Sequence, residues 1–125
     1  MATVSSHILD SIDGGSAVGI RAQLFRIESN GLRTKLFDIS ADQEGRIAEL
    51  VELAAETFEQ EYELVFHSRD YFLAKSNANQ EPFIAENGEP IMKTVVVRLT
   101  MKDKEKRYHI PIMLAPHSYS VWWSK

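Results

Sequence analysis

The chain contains no cysteine, which excludes a disulfide framework, thiolate chemistry and cysteine-ligated zinc. No stretch approaches the roughly 18 apolar residues of a membrane-spanning helix, and residues 1–20 lack a basic segment leading into an apolar run of signal-peptide length. Excess positive charge is missing too. With 14 Lys and Arg against 18 Asp and Glu the formal charge is -4, whereas nucleic acids and anionic membranes select clustered basic surfaces, so neither is expected as a partner. There is no Gly-x-Ser-x-Gly elbow, no phosphate-binding glycine loop, no His-Glu-x-x-His, no internal repeat and no low-complexity tract. The four histidines, His7, His67, His109 and His117, include no i, i+4 helical pair, so no metal site is expected. These absences leave a soluble, cytoplasmic protein with one domain over residues 1–125.

What is present reads as all-β. Short alternating apolar segments are separated by turn signals about ten residues apart. Strands are predicted at 4–12, 20–28 and 33–39, with turns at Asp13-Gly14-Gly15-Ser16 and Asn30-Gly31, where glycine supplies positive φ at little cost. Tyr62, Leu64 and Phe66 alternate as a strand, and 68–75 reads as one short helix with Ser68 as its cap. Strands follow at 91–101, 106–114 and 117–123, with the charged run 102–106 as a solvated turn. Residues 77–90 read as a polar surface loop that could serve as a lid. The segment 48–58 stays open, because its Glu, Ala and Leu content favours a helix while its context favours a strand and loop.

Period-two geometry then separates the histidines from the core. In 106–114 the residues Tyr108, Ile110, Ile112 and Leu114 form the apolar face, so His109 lies on the other. In the first strand Ile8 and Ile12 share the face opposite His7. Both histidines therefore project onto a surface that a second subunit could cover, while His67 and His117 read as incidental.

Three sequence contexts carry more than spacing does. They are Ser6-His7-Ile8-Leu9-Asp10, Glu44-Gly45-Arg46-Ile47 and Tyr108-His109-Ile110-Pro111. Together they resemble the transthyretin-like 5-hydroxyisourate hydrolases, whose pattern is Thr-His-Val-Leu-Asp, Asp-Gly-Arg-Ile, Tyr-His-Val-Pro and a terminal Tyr-Arg-Gly-Ser. The resemblance implies a sandwich of two four-stranded sheets with one short helix. It also implies a homotetramer with sites in a channel between subunits, and hydrolysis of a cyclic acyl–nitrogen bond without metal or organic cofactor. Residue by residue it marks His7, Arg46 and His109 as catalytic. Histidine suits proton transfer near neutral pH, and arginine suits a developing oxyanion.

The ending departs from the pattern. Trp122, Trp123, Ser124 and Lys125 stand where the family's substrate-binding tetrapeptide stands, with length kept and polarity changed. Trp123 in place of an arginine exchanges a fork of donors for a flat apolar ring. An added methyl in a dry pocket is worth roughly 0.8 kcal/mol and an unpaired buried donor costs about 1–3 kcal/mol, so the exchange suits an N-methylated ring. The alternative is a non-catalytic small-molecule carrier. The carrier branch of the family, however, lost the histidine and arginine positions as well as the tetrapeptide, whereas this chain keeps His7, Arg46 and His109.

Overall fold

In the computed structural model, which describes residues 1–53, 60–79 and 88–125, the first strand organises everything that follows. Along β1 (Ala2–Asp10) the even positions Ala2, Val4, Ser6, Ile8 and Asp10 are buried, while Thr3, His7 and Leu9 on the odd side remain partly exposed. On one flank β1 pairs antiparallel with β5 (Arg46–Val51), in register from Ala2 opposite Val51 to His7 opposite Arg46. Beyond that, its last two residues pair with β2 (Gly15–Ser16). On the other flank it runs parallel to β8 (Arg107–His109) and β9 (Ile112–Ala115), and β10 (Ser118–Val121) closes the edge against β9. Since β5 and β2 share one flank and β8 and β9 the other, these six segments form a sheet four strands wide.

The second sheet is antiparallel throughout, in the order β4 (Arg33–Ser40), β3 (Arg21–Ile27), β6 (Glu61–Phe66), β7 (Val95–Thr100). Val4, Ile8, Ile112 and Leu114 from the first sheet join Ala22, Leu24, Tyr62, Leu64 and Phe66 from the second in one core. The helix α1 (Ser68–Asn79) lies at one end, with Phe72 buried. This is the transthyretin-like sandwich, two sheets four strands wide with one helix among the described residues.

Several local expectations give way to tertiary pairing. β1 ends at Asp10, and Ile12 sits exposed in the following turn, so Asp10 takes the core-facing position at the end of the strand. The interior tolerates that carboxylate because four donors converge on it: the amides of Ile12 (2.8 Å) and Asp13 (3.3 Å), the Tyr71 hydroxyl (2.8 Å) and Lys75 Nζ (2.6 Å). The 106–114 segment is two strands rather than one, interrupted at Ile110–Pro111, where proline has no N–H to donate. Residues 46–51 are a strand, while 54–59 lie outside the described residues. The helix runs to Asn79 instead of 75, and 80–87 of the expected loop also lie outside the described residues. Ser68 opens the helix, yet its buried hydroxyl makes no capping bond among the described residues. β7 begins only at Val95, and Ile91 is 90% exposed.

Candidate active site

The position of Arg46 is fixed by the glycine before it. Gly45 has φ of 72°, and a Cβ there would lie 2.6 Å from the Ile8 carbonyl oxygen. The Ile8 amide donates to the Gly45 carbonyl at 2.7 Å, locking the start of β5 against β1. Only glycine combines that backbone conformation with so close an approach. Just upstream, one Asp42 carboxylate oxygen accepts the amides of Glu44 and Arg46, both at 2.9 Å. These bonds hold the Asp42 carboxyl below the usual carboxylate range. The outcome is a rigid turn that delivers Arg46 directly opposite His7.

His109 reaches the same surface from the other flank. It is paired with Ser5, whose Oγ lies 2.8 Å from His109 Nδ1. Directly paired residues project to one face of a sheet, so Ser5, His7, Arg46, Arg107 and His109 all belong to the outer face of the first sheet. A hollow of about 390 Å³ opens there, lined among others by Ser40, Asp42, Arg46, Arg107 and His109, with His7 beside it rather than in its lining. Burial pushes the His109 imidazole below its ordinary pKa, and the nearby charges of Arg107, Arg46 and His7 push it the same way. The ring is therefore neutral near pH 7.

The last four residues divide into two pairs. The Trp122 amide donates to the Pro111 carbonyl at 3.3 Å and the Ser124 amide to the His109 carbonyl at 3.0 Å, so the tail runs antiparallel beside 109–111. Strand alternation then puts Trp122 and Ser124 on the histidine face and turns Trp123 and Lys125 to the opposite one. The Trp123 ring agrees with that placement, since Lys106 Nζ lies 4.8 Å and Lys125 Nζ 5.2 Å from its centroid. It also helps line a separate hollow with Met101, Tyr108 and Ile110. The structure thus brings together His7, Arg46, His109, Trp122 and Ser124, and leaves Trp123 and Lys125 outside the group.

Ser5, Asp42 and Arg107 join the site without having been read from the sequence. Two of them could have been found, because Ser5 stands two residues before His7 and Arg107 two before His109, which places each on its histidine's face. His67 is not idle either: its Nε2 bonds Gln23 Oε1 at 2.6 Å, and Gln23 Nε2 donates to Asp38 at 3.0 Å, a network in the other sheet. Among the described residues, no group of three or more His, Asp and Glu side chains is arranged to hold a metal ion.

Known proteins carry the same architecture. A solved (S)-allantoin synthase matches 99% of this chain at a TM-score of 0.74 and 22% identity, the match spanning 44% of that longer chain. The 5-hydroxyisourate hydrolase of Klebsiella pneumoniae matches over the full length of both chains at 0.70 and 24%. In sequence, a 5-hydroxyisourate hydrolase of Deinococcus radiodurans is 32% identical over 120 residues, covering 95% of this chain and 92% of its own. One from Halalkalibacterium halodurans is 30% identical over 119 residues, covering 95% and 94%. The model of the HIUase/Transthyretin family matches residues 4–123, with both histidine motifs and the Gly-Arg turn inside that span, and the chain belongs to this family.

Proposed function

We propose that this protein is a hydrolase of purine breakdown that opens the cyclic amide ring of 5-hydroxyisourate or of an N-methylated analogue. The observation that carries the reading is the placement of two histidines and a guanidinium on one face beside an open hollow. His7 and His109 supply the proton-transfer and hydrogen-bonding groups, and Arg46 is the cation on which the carbonyl oxygen's charge develops. The 5-hydroxyisourate hydrolases to which the chain is similar in sequence supply the substrate class. The relatives at 30–32% identity over 95% of this chain are hydrolases and not carriers, so the hydrolase reading is preferred.

Trp122 and Ser124 form the variable wall of the site, and the apolar contact for an N-methyl group belongs to Trp122. The protein acts as a cytoplasmic homotetramer. Met113 and Trp122 are exposed on the histidine face beside the β10 edge, and a second subunit laid on that face would cover them. Mixing the purified protein with freshly generated 5-hydroxyisourate, and separately with its methylated analogue, tests the reading. Decay faster than the spontaneous rate and unaffected by chelator is expected, whereas reversible binding with the ring intact would mark a carrier. Sedimentation of an active monomer at micromolar concentration would remove the tetramer.

A further inference from the structure

We propose that Ser5 is a positioning residue that holds His109 in the neutral tautomer carrying its hydrogen on Nε2. The ring then presents a hydrogen-bond donor, not a base, to the hollow. Ser5 is 1% exposed, although it lies on the outer face of the sheet. Among the described residues its hydroxyl has one partner, His109 Nδ1 at 2.8 Å. A serine hydroxyl brings one hydrogen that needs an acceptor, and stranding it in a buried place costs about 1–3 kcal/mol. Were the ring hydrogen on Nδ1, Ser5 could only accept, and its own hydrogen would be stranded. With Ser5 donating to Nδ1, the buried hydroxyl and Nδ1 are both satisfied, and a neutral imidazole must then carry its hydrogen on Nε2. Burial and the neighbouring guanidinium groups of Arg107 and Arg46 all disfavour a second ring proton.

The chemical consequence rests on the hydrolase reading. Nε2 has no protein partner among the described residues, so its hydrogen is free for the carbonyl oxygen of a substrate in the hollow. An imidazole so occupied cannot accept a proton from water, and that task falls to His7. Water loses a proton to His7 as its oxygen bonds the carbonyl carbon, and the negative charge on the carbonyl oxygen is held by His109 Nε2–H and Arg46. On collapse the carbon–nitrogen bond breaks, and the leaving nitrogen takes the proton that His7 carries. The products are a carboxylic acid and an amine-type N–H, with all atoms accounted for.

Nitrogen-15 NMR of histidine-labelled protein, assigned with a His109→Gln variant and recorded without substrate at about pH 8, above the ordinary imidazole range, reads the tautomer directly. The expected wild-type pattern is an unprotonated Nδ1 and a protonated Nε2 at His109, retained in Ser5→Thr. Ser5→Val keeps the shape of threonine without the hydroxyl. It should lose the preference and lower kcat about tenfold, one hydrogen bond's worth, with KM nearly unchanged. A wild-type ring protonated on Nδ1 overturns the proposal whether or not Ser5→Val folds, and so does a Ser5→Val protein that keeps the wild-type pattern. A changed tautomer with wild-type kcat overturns the donor role. Because the tautomer is read without turnover, it stands or falls separately from the hydrolase reading, which fails if wild-type protein does not accelerate ring opening.

Discussion

On its inner face β1 ends in Asp10, a fully buried carboxylate met by two amides, a tyrosine hydroxyl and a lysine. On its outer face the same strand carries His7, opposite an arginine with half of its side chain exposed and diagonal to a histidine with one ring nitrogen unpartnered among the described residues. Both faces are polar, but one is closed and the other open. A charge with every bond satisfied fixes geometry: burial and then the bond to Asp10 raise the Tyr71 pKa, and against its own burial Lys75 is raised by Asp10 and Asp13. A group with bonds left over can change partners during a reaction. The distinction between structure and chemistry in this strand lies in satisfaction, not in residue type.

The sharpest way to break this contrast is to open the closed face. Lys75→Met leaves the Asp10 carboxylate buried without its cation, and removing one member of such a pair should destabilise the protein by about 3–5 kcal/mol in chemical denaturation. The rate per folded molecule should stay near wild type, and a proportionate loss of both would mean the two faces are not independent. The converse is His7→Ala, expected to lower the chemical step about 100-fold with the unfolding midpoint scarcely moved; His109→Ala should lower it as much but also cost about 1–3 kcal/mol of stability, because the buried Ser5 hydroxyl loses its partner. Full activity in both variants would leave the outer face without a chemical role.

A smaller effect sharpens the division within the tail. Trp122→Tyr should shift the ratio of kcat/KM between methylated and plain substrate toward the plain ring by roughly 1 kcal/mol, about one methyl contact. Trp123→Arg should leave that ratio unchanged and cost only its packing against Lys106. Equal shifts from both would contradict the alternation of the tail. Smallest is the electrostatic prediction: Arg107→Gln removes a cation that disfavours the imidazolium, so the His109 pKa should rise in an NMR titration. Wild-type His109 binds a proton less readily folded than unfolded. Its contribution to stability is therefore complete above the ordinary imidazole pKa of about 6.5 and is lost as pH falls through the lower folded value. Arg107→Gln should weaken that loss.

The sandwich was legible where apolar residues alternate, at Tyr62, Leu64 and Phe66 and, despite the break in pairing at Ile110–Pro111, at Tyr108, Ile110, Ile112 and Leu114; the same alternation in 106–114 and in the first strand gave the outward direction of His109 and His7. Asp10 was not legible, because a carboxylate belongs inside only if distant donors meet it, and Tyr71 and Lys75 lie some sixty residues away. The roles of Trp122 and Trp123 were hidden for a similar reason. Which of two adjacent tryptophans faces the histidines depends on which backbone carbonyl the tail bonds, and that register is set by Pro111 and His109. Arg46 could be placed by resemblance, whereas the cause of its placement, a glycine pressed against the Ile8 carbonyl, is visible only in three dimensions.

The parallel pairing of β1 with β8 and β9 also bears on how the molecule assembles in time. Thr3 to Asp10 find one set of partners near residue 50 and the other at 107–114, about a hundred residues downstream. Closing so long a loop precedes the reward of the contacts it brings, and pairings of this kind slow folding. The sheet of β3, β4 and β6 can form from neighbours in the chain, whereas both histidines stay apart until the last strands dock. During synthesis the face that bears both histidines is therefore among the latest parts of the molecule to exist, and β1 waits with one edge uncovered until they arrive.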